Sequence, residues 1–140
     1  MRVDDRKKLR GLKRLRSSLI YAFDGLKYAY NNEQSMTVHM IITVLVLIMG
    51  FVFKIDAYEW MAVVFCIGIM MCLELVNTSI EAVVDLVTKK YDEKAKVAKD
   101  VAASVSVMFS FTAIIIGLII FVPKIVDFIR SLLWEKNWKS

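Results

Sequence analysis

Proline occurs once, at position 123, and glycine only five times in 140 residues. With so few breakers, no polar linker and no repeat at a fixed period, residues 1–140 are expected to form one all-α unit. Histidine is also single, which excludes a zinc cluster and metal hydrolysis of the His-Glu-x-x-His type. The glycines, at 11, 25, 50, 68 and 117, make neither Gly-x-x-x-x-Gly-Lys-Ser/Thr nor Gly-x-Gly, so a nucleotide must be held by other means. Two cysteines, Cys66 and Cys72, would stand about 240° apart on one helix, cannot bridge each other there, and read as small buried hydrophobes. No apolar stretch follows closely on the basic start; the first begins near Met36, so no cleavable signal peptide is expected.

What the chain has in plenty is apolar surface: 58% hydrophobic residues and a mean hydropathy of +0.56. Both are too high for ordinary soluble usage. Charge is concentrated at one end. The net +5 arises from 19 basic and 14 acidic residues, and the first sixteen residues hold eight basic and two acidic side chains, leaving a near-neutral body. That suits an anionic membrane surface, and with no soluble basic domain left over, no nucleic-acid partner is expected.

Four segments follow. Residues 5–31 carry Leu12, Leu19, Phe23, Leu26 and Tyr30 within about 60° of one helical face, with Arg6, Lys7, Lys8, Arg10, Lys13, Arg14 and Arg16 crowding the rest. Such a helix lies in the membrane interface. Residues 36–53 contain no formal charge apart from the titratable His39 and reach about 27 Å, enough for a thin span. A third segment, 57–87, is charge-free only from Trp60 to Leu73, roughly 21 Å, so its crossing must continue into acids. The fourth, 101–122, is charge-free for roughly 33 Å and is expected to stop at Pro123, leaving 123–140 as an interfacial tail. Lysine and arginine counts put the N-terminus and the loop 89–99 in the cytoplasm and the C-terminus outside.

Within the third segment, Glu74, Asn77, Glu81 and Asp85 follow at intervals of three, four and four, all inside an arc of about 80°. A carboxylate in a span costs at least ~2.5 kcal/mol, so three on one face mark a functional site. The alternative is that the helix leaves the bilayer at Leu73 and its acids stand in solvent. Lys89, Lys90, Lys94, Lys96 and Lys99 make a cationic mouth suited to polyphosphate; Lys89 and Lys94 read as topology lysines. A phosphate at Lys99 is expected to meet free N–H groups of the last span's first turn. Carboxylates for Mg²⁺, a carboxylate to accept a hydroxyl proton and cations for phosphates are the components of phosphoryl transfer.

Glu74-x-x-Asn77-Thr78-x-x-Glu81-x-x-x-Asp85, followed by Ala95-Lys96-x-x-Lys99-Asp100-x-Ala102-Ala103, with Gly25-Leu26 and Asn32-Glu33 upstream, resembles the small membrane-embedded prokaryotic diacylglycerol kinase and undecaprenol kinase family. The likeness extends over Arg14 to Pro123. It implies a homotrimeric kinase of the bacterial cell membrane, with a surface helix and three spans per subunit, that moves the γ-phosphate of MgATP to a lipid hydroxyl. By motif position Glu74 would be the general base and Asn77 would orient it. Glu33 and Glu81 would hold Mg²⁺ against the ATP phosphates, Lys99 and Asp100 would contact nucleotide and phosphates, and Arg14 and Tyr21 would close over the nucleotide. Lys90, Tyr91 and Asp92 fall where the family's loop nears it.

Gln34-Ser35 stands where relatives often show Arg-Asn, and Ser104 and Ser106 stand where relatives carry alanine or glycine. His39, Glu59-Trp60 and the ending from Gly117 to Pro123-Lys124 resemble the Gram-positive undecaprenol kinase branch more than the Gram-negative diacylglycerol kinase branch. The expected substrate is therefore undecaprenol, with diacylglycerol as the alternative. Outside that chemistry, Glu74, Glu81 and Asp85 would serve a small proton- or ion-conducting oligomer. His39 reads either as a buried structural imidazole or as a helper at the mouth, and the structural role is the expected one.

Overall fold

A computed structural model describes residues 11–138, with side chains as far as Trp134. Among the described residues four helices follow in order: α1 Leu12–Asn32, α2 Gln34–Val52, α3 Ala57–Val87 and α4 Glu93–Trp138. The last three are long and apolar enough to cross a membrane. Arg6, Lys7, Lys8 and Arg10 of the expected surface helix lie outside the described residues.

The joints between helices are short. Gly11 precedes α1 at φ 59, a left-handed angle that glycine adopts without a Cβ clash. Glu33 alone separates α1 from α2; its extended backbone (φ −113, ψ 117) interrupts the helix for one residue. Between α2 and α3 the chain reverses through Lys54, at φ 50, and Asp56 then closes the first turn of α3. The Asp56 carboxylate accepts from the backbone N–H groups of Tyr58 and Glu59, and the Glu59 carboxylate accepts from that of Asp56, so three otherwise orphaned donors are satisfied by a reciprocal cap.

Beside this turn lies the apolar core of the single chain, Ile55, Val63, Ile120 and Phe121, with Trp60 and Ile125 against it. Gly50 makes the packing possible: a Cβ there would sit 2.7 Å from the Trp60 ring. Elsewhere the spans turn apolar side chains outward, as at Phe65 and Phe111, both more than 60% exposed. Cys72 is exposed and Cys66, which borders the space between α2, α3 and α4, is half-buried, so neither is the fully buried core hydrophobe expected of it.

The expected stop at Pro123 does not occur. Proline lacks one N–H and so removes one intrahelical bond, but α4 continues through it to Trp138, over roughly 69 Å in all. Packing on the far side supports the continuation: Lys124 Nζ is 2.9 Å from Glu59 Oε2, and Phe128 stacks edge-on against Phe53. Residues 123–138 are thus the end of α4 and not a separate tail. At the other end α4 begins eight residues before the predicted span, so Lys94, Lys96 and Lys99 are helical and the loop shrinks to 88–92.

Candidate active site

α3 carries the acid stripe in register, and exposure rises along it. Glu74 is 4% exposed and Asn77 7%, Glu81 is half-buried, and Asp85 is exposed. The first three line a cleft of about 400 Å³ together with Glu33, Ser35 and His39 on one side and Ala103 and Ser106 of α4 on the other. Glu33 joins them because it is the single extended residue between helices, and small residues on α4 leave room for the polar groups.

Both oxygens of Glu74 are attended from α2. Ser35 Oγ donates to Oε2 at 2.7 Å, and His39 Nε2 stands 3.5 Å from Oε1. One turn further, Asn77 Nδ2 donates to Glu81 Oε1 at 2.9 Å. Asn77 Oδ1 is buried without a partner, as are Thr78 Oγ1 and Ser106 Oγ. An unsatisfied buried polar atom costs about 1–3 kcal/mol, so the unpaired Asn77 and Ser106 atoms are groups that a polar ligand entering the cleft could satisfy. The Glu33 carboxyl is pushed above its usual range, first by burial and then by the nearby charges of Glu81 and Glu74. Three acids that feel one another favour a bound cation.

Among the described residues, no three of His, Cys, Asp and Glu converge closely enough to cage a metal. The oxygens of Glu33, Glu81 and Asn77 are nevertheless hard donors of the right class for Mg²⁺. That ion is usually held by one or two carboxylates with substrate phosphates completing its shell, so the residues present fit it.

A second cleft, of about 450 Å³, lies beyond the end of α3 and includes Lys90, Tyr91, Asp92, Lys99 and Asp100. Its cations are held by acids: Lys99 Nζ lies 2.6 Å from Asp85 Oδ1, and Lys96 Nζ 2.8 Å from Asp100 Oδ2. The expected meeting of a phosphate at Lys99 with the free N–H groups of a first helical turn does not fit the structure, because α4 starts at Glu93 and Lys99 is already in its second turn. Asp92 caps that start, accepting from the Ala95 N–H at 3.0 Å. Asp85, in line with the stripe by spacing, belongs to this second cleft. Arg14, exposed, and Tyr21, half-buried, share a face of α1 but line neither cleft.

A third cavity, apolar and about 280 Å³, runs between α2, α3 and α4 as far as Gly117 and Phe121 and shares His39, Met70 and Ser110 with the acid cleft. An amphipathic molecule can therefore lie in the groove and present a hydroxyl at Glu74. Ser35 is not among the residues the sequence singles out for the site, and His39, expected to be structural rather than a helper at the mouth, stands beside Glu74. The available signal was their spacing of four, which puts both on the face of α2 that meets α3.

The profile of the family described as prokaryotic diacylglycerol kinase matches residues 20–121. Among curated proteins, the chain is 40% identical over 114 residues to undecaprenol kinase of Bacillus subtilis, covering 81% of this chain and 93% of the relative. It is 33% identical over 97 residues to a diacylglycerol kinase of Helicobacter pylori, covering 69% and 76%. With that of Escherichia coli K12 it shares 26% over 105 residues, covering 75% and 86%. The match spans α1 to α4 and takes in both clefts, and the chain belongs to the prokaryotic diacylglycerol kinase family, as a membrane enzyme of the lipid-kinase type.

Proposed function

We propose that this kinase transfers the γ-phosphate of ATP to the primary hydroxyl of undecaprenol, giving undecaprenyl phosphate. The observation that carries the proposal is the graded burial of Glu74, Asn77 and Glu81 on one face of α3, between an apolar groove and a polar mouth. The 40% identity to an undecaprenol kinase supports the lipid. Diacylglycerol is the second reading, supported by the more distant relatives.

Glu74 is the general base. The lipid hydroxyl gives its proton to this carboxylate as its oxygen bonds to the γ-phosphorus, the bond to the β-phosphate oxygen breaks, and ADP leaves. Asn77, through its bond to Glu81, fixes the spacing between base and phosphate site. Glu33 and Glu81 would hold Mg²⁺, which, when bound with ATP, neutralises charge on the phosphates. Lys99 and Asp100 contact nucleotide and phosphates, Lys90, Tyr91 and Asp92 border the nucleotide, and Arg14 and Tyr21 close over it from α1. For this Lys99 must exchange Asp85 for phosphate oxygen, a substitution of one anion for another.

The exposed apolar faces of the spans suit both lipid and two further copies of the chain in a homotrimer. Three spans and the excess of lysine and arginine at the start and around 89–99 support a cytoplasmic N-terminus and nucleotide site in the bacterial cell membrane, with the C-terminus outside. Labelled γ-phosphate offered to equal amounts of undecaprenol and diacylglycerol in one micelle tests the proposal. Preferential labelling of undecaprenol is expected; exclusive labelling of diacylglycerol would overturn the substrate assignment.

A further inference from the structure

Glu74 poses a problem that its role as base does not resolve. At 4% exposure it has little water of its own, and after each turnover it carries the proton of the lipid alcohol. Unless that proton leaves, the carboxyl cannot act again. Ser35 donates its hydroxyl hydrogen to Oε2, so the open oxygen is Oε1, and the nearest ionisable nitrogen to Oε1 is His39 Nε2 at 3.5 Å. His39 is less deeply buried, with 20% of its side chain exposed, and it borders both the acid cleft and the apolar groove. The other ionisable groups on these two cavities are Glu33 and Glu81 in the cleft and Cys66 in the groove; α4 contributes none.

We infer that Ser35 and His39 form a dyad that orients Glu74 and takes its proton: Ser35 fixes which oxygen receives the lipid hydroxyl's proton, and His39 then removes it. The inference rests on the lipid-kinase reading. In the second step the O–H bond on Oε1 breaks and an N–H bond forms on the unprotonated Nε2 of neutral imidazole, restoring the carboxylate. The imidazolium then gives its proton to water at the cleft mouth, and no electrons change hands. His39 acts through Glu74 and is a positioning residue, not one that touches the reacting phosphate. The 3.5 Å separation is too long for a strong hydrogen bond and is expected to shorten once the alcohol is bound.

The test uses the full chain in detergent with undecaprenol and labelled ATP. His39→Gln keeps the size and an N–H donor but cannot take up a proton; kcat is expected to fall roughly 10- to 100-fold, at or below the low end of direct acid–base effects, with both KM values within about twofold. Free imidazole added to His39→Ala is expected to restore a severalfold higher rate, whereas acetamide restores none. Ser35→Ala should lower kcat without any response to imidazole. Wild-type kcat in His39→Gln, failure of imidazole to rescue His39→Ala, or a loss confined to KM would overturn the inference while leaving the kinase assignment intact. A wild-type chain that phosphorylates neither undecaprenol nor diacylglycerol would overturn both.

Discussion

The two ends of the helical bundle obey opposite rules. Around the α2–α3 turn the interactions close on themselves: Asp56 and Glu59 cap each other's backbone, Lys124 pairs with Glu59, and Trp60 fills the space left by Gly50. Around the acid cleft they stay open. Asn77 Oδ1 and Ser106 Oγ are buried without partners, and three carboxylates crowd the site, while Lys96 and Lys99 of the second cleft pair with Asp100 and Asp85. One end stabilises the fold and the other holds unsatisfied chemistry in reserve for substrates. Substitutions at the closed end should therefore act on stability, and those at the open end on turnover.

The largest effect is expected for Glu74→Gln, which removes the proposed base but keeps the shape. Its kcat for lipid phosphorylation should fall by about 10²–10⁴-fold with unfolding in detergent unchanged. Gly50→Val should do the reverse, since its side chain would collide with the Trp60 ring. A loss of about 1–3 kcal/mol on denaturant titration is expected, with normal kcat per folded molecule. Asp56→Ala, which breaks the reciprocal cap, should cost about 1 kcal/mol and likewise spare turnover.

Glu33 gives the open end a pH signature. Burial and acidic neighbours raise its folded carboxyl above the unfolded value, so ionising it opposes folding. Without Mg²⁺ and ATP, the stability due to the protonated form should be present below the unfolded value and lost as pH rises through the folded one. Glu33→Gln should flatten that decline. The smallest change is expected for Thr78→Val, which replaces a buried, unpaired hydroxyl with a methyl group. Stability should be unchanged or rise by up to about 1 kcal/mol, and a clear loss would mean that Thr78 finds its partner in another subunit.

Much of the open end is legible in the primary structure, because three- and four-residue spacing on one helix fixes which side chains share a face. Glu74, Asn77 and Glu81 needed no tertiary information for that. Asp85 shows the limit: it shares the face, yet Lys99 on α4 draws it into a different cleft. The Ser35 contact depends on how α2 crosses α3, and serine by itself carries no signal of it. Pro123 misleads for another reason. Proline removes one hydrogen bond locally, and only the packed neighbours Glu59 and Phe53 show that α4 has cause to continue.

The central claim is that one helix face divides its labour, with Glu74 serving the lipid hydroxyl and Glu81 the metal-bound nucleotide. Titration of MgATP onto Glu74→Gln and Glu81→Gln, with both variants in the same micelles, tests it most directly. Near-normal affinity in the first and markedly weakened affinity in the second is the predicted result. Equal weakening in both would contradict the division.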